Sequence, residues 1–366
     1  KILGISNVSR GYKIPYHPQI LFTPPKMAHY IEVSMKIYSI IQNYAADEDI
    51  LVYSIDEMCI ALDKSYKLFG SCTEEVARLI QQDIFEKTGL YVAGALAPNL
   101  TLAKYAMTDA KRERDMFIAV DYSYIQDQLW GYRIEDCWGF QGGRIAKRCN
   151  KIGLFTMGDI AHSDLQRLIR EFGRVRGEEI YFNSWGICRA KLGEKHKYRT
   201  KNSSINNSQI LPKDYTGREA KTVLSEMAEQ VVQRARKRNV VGETIKLSVG
   251  YSREFGGGFS HQMKIPPTNQ SRALTKYTLK LFDDFWDGPD IRHIGLSLSK
   301  LSPATSLQLN LFEEPEKTIQ TDSLDDLIAK IRDKYTFESI VRARSLLDEA
   351  TSIHRSKTIG GHASGE

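Results

Sequence analysis

Tyr53-Ser54-Ile55-Asp56-Glu57, which continues the apolar run Ile50-Leu51-Val52, and Pro98-Asn99-Leu100-Thr101-Leu102-Ala103-Lys104 further along decide how this chain is read. Ile50 to Ile55 has the apolar, β-branched character of a strand, and Cys59-Ile60-Ala61-Leu62 reads as its return partner. Neighbouring side chains of a regular strand point to opposite faces. Asp56 and Glu57 can therefore serve one site only where the strand twists or turns. Adjacent carboxylates at such a strand end, with a lysine on a helix of the same domain, are parts that hold divalent metal and a triphosphate. Mg²⁺ takes oxygen ligands and keeps water and substrate phosphate among them, and an ammonium is a point charge suited to phosphate oxygens. Taken singly, an Asp-Glu dipeptide is usually a pair of solvated turn carboxylates, and a helix lysine is usually a surface residue. Taken together they point to nucleotidyl transfer.

Outward from this pair the chain reads as α+β and multidomain. Residues 27–45 carry Tyr30, Val33, Ile37, Ile40, Ile41 and Tyr44 at helical spacing. A helix from Thr73 to Lys87, a strand Gly89–Gly94, the helix of Lys104 and a strand Met116–Val120 complete a palm, one sheet with helices over one face, within residues 1–130, a partial fingers and palm. Residues 131–192 read as a helical domain: Trp138-Gly139-Phe140-Gln141-Gly142-Gly143-Arg144 leads into a helix, Ile152 to Ile160 follows, and Gly173-Arg174-Val175-Arg176-Gly177 supplies a second glycine break. A basic linker, 193–207, carries Lys195, Lys197, Arg199 and Lys201. Residues 208–306, with a first strand near 203–211, alternate as βαββαβ, a four-stranded sheet backed by two helices. In the last segment, 307–366, Glu313-Glu314-Pro315-Glu316-Lys317 reads as a linker, 323–334 as a short helix, and Ile359-Gly360-Gly361-His362 as a loose end.

Composition narrows the function classes. With 366 residues, 42% of them hydrophobic, the chain can build several cores. A net charge of +6 is mild, so affinity for nucleic acid has to come from local excess; residues 195–253 hold thirteen Lys or Arg against five Asp or Glu. The five cysteines are odd in number and form no CxxC, which argues against disulfides and zinc. No apolar run reaches the ~18 residues of a membrane span, so no membrane partner and a cytoplasmic location are expected. Lys1-Ile2-Leu3-Gly4-Ile5 reads as the end of a helix already under way, as in a piece of a longer chain.

These segments together resemble the Y family of translesion DNA polymerases, above all its UmuC- and UvrX-like and DNA polymerase IV/V types, over almost the whole chain. Tyr53–Glu57 is similar to the family's SIDE motif, and Gly94–Lys104 to the palm segment ending in Leu-Ala-Lys. Asp136–Ile160 is similar to the thumb's helix-hairpin-helix. Ser208-Gln209-Ile210-Leu211-Pro212 and Gly250-Tyr251-Ser252, with Gly256–Gly258, resemble the little finger. The resemblance implies a ferredoxin-like palm and error-prone, lesion-bypass synthesis in DNA repair and the SOS response, with two Mg²⁺ ions. Asp56 and Glu57 would be two of three catalytic, metal-binding carboxylates, and Lys104 would contact the incoming deoxynucleoside triphosphate. Primer-template DNA would lie on Gly139, Gly142, Gly143 and Arg144, whose hairpin N–H groups suit phosphates, and on Lys197, Arg199 and Lys201.

The third carboxylate and the steric gate would belong to roughly fifty residues ahead of Lys1, so the chain alone is expected to be inactive. Two departures stand out: Cys59 replaces a usual aromatic, and the hairpin Gly139–Gly143 is one residue longer. Gln308-Leu309-Asn310-Leu311-Phe312 resembles the peptide that binds the bacterial sliding clamp, with Leu309, Leu311 and Phe312 as its apolar part and Gln308 as hydrogen-bonding partner. Without the resemblance, Leu307, Leu309 and Leu311 alternate as an ordinary buried strand. Two rivals remain: a non-catalytic DNA- and clamp-binding protein, and a nucleotide cyclase on a similar palm. The hairpin domain, the basic linker and the clamp peptide count against the cyclase.

Overall fold

The glycines and apolar repeats that punctuate the sequence also punctuate the structure, a computed structural model that describes Ile5, Ser9 and residues 14–140, 143–194, 203–304 and 315–365. The chain divides into two compact units, Tyr30–Arg199 and Lys1–His29 with Thr200–Glu366.

The Tyr30–Arg199 unit has two cores. In the first, Ile40 and Ile41 at the end of α1 (Met27–Ile41) pack with Ile50 of β1 (Ile50–Val52) and with Val76, Ile80 and Ile84 of α2 (Thr73–Thr88). The i, i+4, i+8 spacing on α2 puts these three on one face. β1 runs antiparallel to β2 (Met58–Ile60), with Val52 opposite Met58. β3 (Gly94–Leu96) and β4 (Phe117–Ala119) pair in parallel across the helix that carries Lys104, α3 (Leu100–Ala110). Among the described residues these are two separate two-stranded sheets, not the single palm sheet expected. No ladder joins the antiparallel pair to the parallel one.

The expected strand Gly89–Gly94 also begins only at its last residue. Gly89, left-handed at φ +74, closes α2, and the Val92 carbonyl accepts from the Gln81 side-chain amide at 2.7 Å instead of from a ladder.

The second core ties α3 to a helical region: Leu102, Tyr105 and Ala106 share a cluster with Leu129, Ile134, Cys149, Met157, Ile160, Leu168 and Ile180. Its helices are α4 (Tyr124–Asp127), α5 (Arg144–Lys151), α6 (Met157–Ala161), α7 (Leu165–Phe172) and α8 (Arg174–Ser184). Gly153, at φ +76, turns the chain between α5 and α6. Thr156 and Asp159 then form a capping box at the start of α6. The second glycine break is narrower than the sequence suggests, because Gly173 alone interrupts the chain at φ +79 while Arg174–Gly177 is helical. Gly177 serves close packing instead: a Cβ there would lie 2.8 Å from the Ile169 backbone of α7.

In the other unit the chain order is β5 (Ile205–Tyr215), α9 (Gly217–Lys237), β6 (Val240–Tyr251), β7 (Gly258–Thr268), α10 (Ser271–Phe285) and β8 (Ile291–Pro303). The sheet order is β5-β8-β6-β7, antiparallel throughout. Ile245, Leu247 and Val249 of β6 and Ile294, Leu296 and Leu298 of β8 alternate into one core with Val223, Leu224, Met227 and Val231 of α9 and Leu274, Leu281 and Phe282 of α10. Both edge strands carry proline, Pro212 in β5 and Pro266 and Pro267 in β7, which suits strands lacking a second neighbour.

The C-terminal segment is better ordered than its composition implies. From Pro315 on, the expected linker is already α11 (Pro315–Lys334), and proline in a first helical turn forfeits no intrahelical bond. Asp325 accepts from the Ser271 backbone N–H at 2.8 Å, at the start of α10, and from the Ser271 hydroxyl at 2.5 Å. Glu226 of α9, 2% exposed, accepts from the Thr351 and Ser352 N–H groups and from the Ser352 hydroxyl, just before and within α12 (Ser352–Ser356). The expected loose end is a small hairpin of β9 (Thr358–Ile359) and β10 (His362–Ala363). Local polarity hid this, since buried carboxylates, not an apolar stripe, fasten the segment.

Candidate active site

The link between β1 and β2 is a tight five-residue turn whose backbone closes on itself: the N–H groups of Tyr53 and Ser54 both donate to the Glu57 carbonyl, at 2.9 and 3.1 Å. Leaving the pleat in this way frees Asp56 and Glu57 from opposite-face alternation. Asp56 is exposed and its carboxylate accepts from the Ser54 hydroxyl at 2.6 Å.

Lys104 arrives from α3, whose start is fixed by Asn99. The Asn99 side chain accepts from the Leu102 N–H and donates to the Gly186 carbonyl. With Leu102, Tyr105 and Ala106 buried, the register of α3 brings Lys104 to the carboxylate turn, where Nζ lies 2.7 Å from Glu57 Oε2. The lysine side chain is 9% exposed and the glutamate 36%, so this is a largely desolvated ammonium with one carboxylate partner on the wetter side.

Lys104 and Glu57, 47 residues apart in the sequence, thus meet, with Asp56 beside Glu57 on the same turn. Sequence reasoning missed the aromatic lining. Lys104 Nζ lies 4.5 Å from the Tyr53 ring centroid and 5.6 Å from that of Trp138. The two rings meet edge-on at 6.2 Å, and Tyr105 meets Trp138 edge-on at 6.3 Å. Beside them lies a cavity of about 220 Å³ lined by Tyr53, Trp138, Phe140, Arg176, Glu179 and Asn183, among others. Arg176 of α8 holds one wall, donating to the Gly139 carbonyl at 3.1 Å and pairing with Glu179 at 2.7 Å. Tyr53 stands inside the motif already singled out, but nothing local in the sequence links Trp138 to Lys104. Cys59, opposite Leu51 in the β1–β2 ladder, is half-buried, and burial pushes its thiol up, so it stays protonated at neutral pH.

Two hard oxygen donors on an exposed turn, one kept accessible and one neutralised by a neighbouring ammonium, suit a divalent cation that retains other oxygen ligands. Among the described residues no group of three or more His, Cys, Asp or Glu side chains gathers to hold a metal. No described helix is long and apolar enough to cross a membrane.

The expected nucleic-acid contacts are only partly described. Gly139 and Gly143 both have positive φ, +85 and +81, and Arg144 begins α5, exposed. Gly142, Lys197, Arg199, Lys201 and the peptide Gln308, Leu309, Leu311 and Phe312 lie outside the described residues. A second surface was legible in the strand alternation but went unread. The sheet face away from α9 and α10 carries short polar side chains in cross-strand rows: Ser208, Gly295, Ser248 and Ser260, then Asn206, Ser297, Lys246 and Gln262. Gly295 keeps this face flat, since a Cβ there would lie 2.6 Å from the Ser248 hydroxyl.

Known proteins identify the family. The impB/mucB/samB family matches residues 1–108, and that family's C-terminal domain matches residues 202–311. A putative UV-damage repair protein, UvrX of Bacillus subtilis, is 32% identical over 369 residues, covering 100% of this chain and 86% of the relative. The chain belongs to the Y family of translesion DNA polymerases. As a Y-family member it is a DNA-directed DNA polymerase. DNA polymerase IV 2 of the same organism is 31% identical across 98% of this chain and 86% of its own. The fold agrees with that of a solved Y-family DNA polymerase chimaera of Dbh and Dpo4, which superposes with a TM-score of 0.60 at 20% identity over 78% of this chain and 80% of the other. Nucleotide addition in DNA repair is the chemistry that goes with this family.

Proposed function

We propose that this polymerase extends a primer 3′ end across damaged template by two-metal nucleotidyl transfer, with Asp56 and Glu57 as ligands of two Mg²⁺ ions and Lys104 on the incoming triphosphate. The observation that carries the reading is the 2.7 Å contact of Lys104 with Glu57, which brings a phosphate-seeking cation onto a metal-seeking carboxylate from distant parts of the sequence. Bound Mg²⁺ would lower the pKa of the primer hydroxyl and neutralise charge on the departing pyrophosphate.

The chain's own contribution is placement. Asp56, tethered by the Ser54 hydroxyl, offers an oxygen toward solvent. Glu57 gives up part of its charge when it ligates metal, and the buried ammonium of Lys104 then takes a phosphate oxygen as its counter-charge. Primer-template DNA would meet the backbone N–H groups around Gly139, Gly142 and Gly143, the Arg144 side chain, and the basic segment with Lys197, Arg199 and Lys201. These groups contact phosphates and leave base identity unread, as a lesion-tolerant enzyme requires. The serine- and glycine-rich rows of the four-stranded sheet let a phosphodiester backbone approach closely, with Lys246 as counter-charge. Fingers and palm (1–130), thumb (131–192) and little finger (208–306) are the assignments that go with this reading. The peptide Gln308–Phe312 would tether the enzyme to a sliding clamp.

Primer extension by the intact protein tests it. Asp56→Ala and Glu57→Ala should each abolish Mg²⁺-dependent extension while leaving DNA binding intact, and Lys104→Ala should raise the KM for deoxynucleotide. Extension that survives both carboxylate substitutions would overturn the assignment.

A further inference from the structure

We propose that Trp138, together with Tyr53, is a positioning residue that fixes the Lys104 ammonium for the triphosphate. The inference rests on the reading of Lys104 as a triphosphate contact. It goes further by assigning the placement of that charge to two aromatic rings, one of them in the helical region.

The argument begins with what a 9%-exposed ammonium needs. Water is nearly excluded, so the charge must be met by the protein, and Glu57 is its one ion-pair partner among the described residues. If Glu57 also serves metal, that partner is weakened at the moment a triphosphate arrives. A flexible four-carbon side chain released there would sample many rotamers, and fixing it again on substrate costs binding energy. The rings remove that freedom. Tyr53 at 4.5 Å and Trp138 at 5.6 Å from Nζ are within cation–π range, and neither changes charge when metal or nucleotide binds.

The rings are themselves held. Tyr53 belongs to the carboxylate turn through its N–H bond to the Glu57 carbonyl. Trp138 is braced edge-on by Tyr53 and Tyr105, and the peptide after it is pinned by Arg176 to the Gly139 carbonyl. Tyr105 is buried, and its hydroxyl has no hydrogen-bond partner among the described residues. Its contribution at this place is thus its ring. Lys104 consequently has one face against a carboxylate that can be lost to metal and another against rings that cannot.

The test separates this role from simple packing and from failure of the Lys104 assignment. In the intact protein, Trp138→Leu should raise the KM for deoxynucleotide roughly five- to tenfold, the range of a partly desolvated cation–π contact. kcat and the Kd for primer-template should stay within about twofold of wild type, and Trp138→Phe should recover most of the loss. Combining Trp138→Leu with Lys104→Ala should add nothing to the effect of Lys104→Ala alone, since the tryptophan acts through the lysine. Independently of activity, the ε-methylene protons of Lys104, observed by NMR without metal or nucleotide, should be shifted upfield by the rings and move toward the ordinary lysine position in Trp138→Leu. Additive losses in the double variant, or a fall in DNA affinity that Phe does not rescue, would overturn the proposal. Should Trp138→Leu not fold, Tyr53→Leu is judged on the same KM, kcat and chemical-shift readings, with the same changes expected. An unchanged KM in Lys104→Ala with the ring shifts present would sink the triphosphate reading, and an absent ring shift would sink the positioning role.

Discussion

The sheet of the Thr200–Glu366 unit and the strand pairs of the Tyr30–Arg199 unit use similar strand-and-helix alternation at different scales. β5 to β8 run eleven to thirteen residues and bury one alternating face under two helices. β1 to β4 are three residues each. Long strands fix their own register, because a one-residue slip would turn the entire apolar set to solvent. Three-residue strands cannot; the turn between β1 and β2 is held by two backbone hydrogen bonds, the Ser54–Asp56 side-chain bond and the Lys104–Glu57 ion pair. The contrast is between a sheet whose register its own strands enforce and a turn held by a few local bonds, and under the proposed function it is the turn that carries the chemistry.

Five substitutions probe that contrast. The largest effect belongs to the turn: Asp56→Ala or Glu57→Ala should cut the single-turnover extension rate by about a thousandfold or more, since several kcal/mol of charge stabilisation is lost. Thermal unfolding of Asp56→Ala should move by no more than about 2 °C, as for an exposed site, whereas Glu57→Ala also leaves the Lys104 ammonium without its carboxylate and should be less stable. A large drop in the melting temperature of Asp56→Ala would break the comparison. Next, Leu224→Ala in the core beneath the long sheet should cost about 2–5 kcal/mol in urea unfolding while leaving the KM for deoxynucleotide unchanged. Third, Glu226→Ala should cost about 2 kcal/mol and make the segment beyond Pro315 sensitive to protease, because the backbone N–H groups of Thr351 and Ser352 lose a charged acceptor.

The smallest effect concerns Glu219, which closes the capping box with Thr216 and pairs with Lys213. These contacts hold its carboxyl down to about 2 from 4.5. A depressed carboxylate contributes stability that is fully present above pH 4.5 and disappears as the pH falls toward 2. Glu219→Gln should therefore lose its disadvantage relative to wild type across that window, as read by paired denaturation curves.

The same contrast explains what the sequence discloses. Ile245, Leu247 and Val249, then Ile294, Leu296 and Leu298, announce their strands by period two, and Val223, Leu224, Met227 and Val231 announce their helix. The order of that unit was accordingly legible from one chain. Gly89–Gly94 reads as a strand from composition, yet a left-handed glycine and the Gln81 amide move the strand to Gly94–Leu96, and neither acts through periodicity. The nearness of Lys104 to the Asp56-Glu57 turn was legible because carboxylates at a strand end and a helix lysine in one domain are rare in combination. Trp138 was not, because its contact with Lys104 depends on how the helical region packs on α3. The ordered segment after Pro315 was hidden for a related reason: its anchors are Asp325 and Glu226, which resemble surface residues until their partners are seen.

That segment changes what counts as a removable end. The homology shared with the impB/mucB/samB C-terminal domain stops at residue 311, whereas the bonds that secure α9 and α10 come from residues 325, 351 and 352. An expression plasmid trimmed to the conserved boundary would discard the acceptor at the start of α10 and strip the cover from a helix face built to be enclosed. The insoluble product would be mistaken for evidence that the domain cannot stand alone.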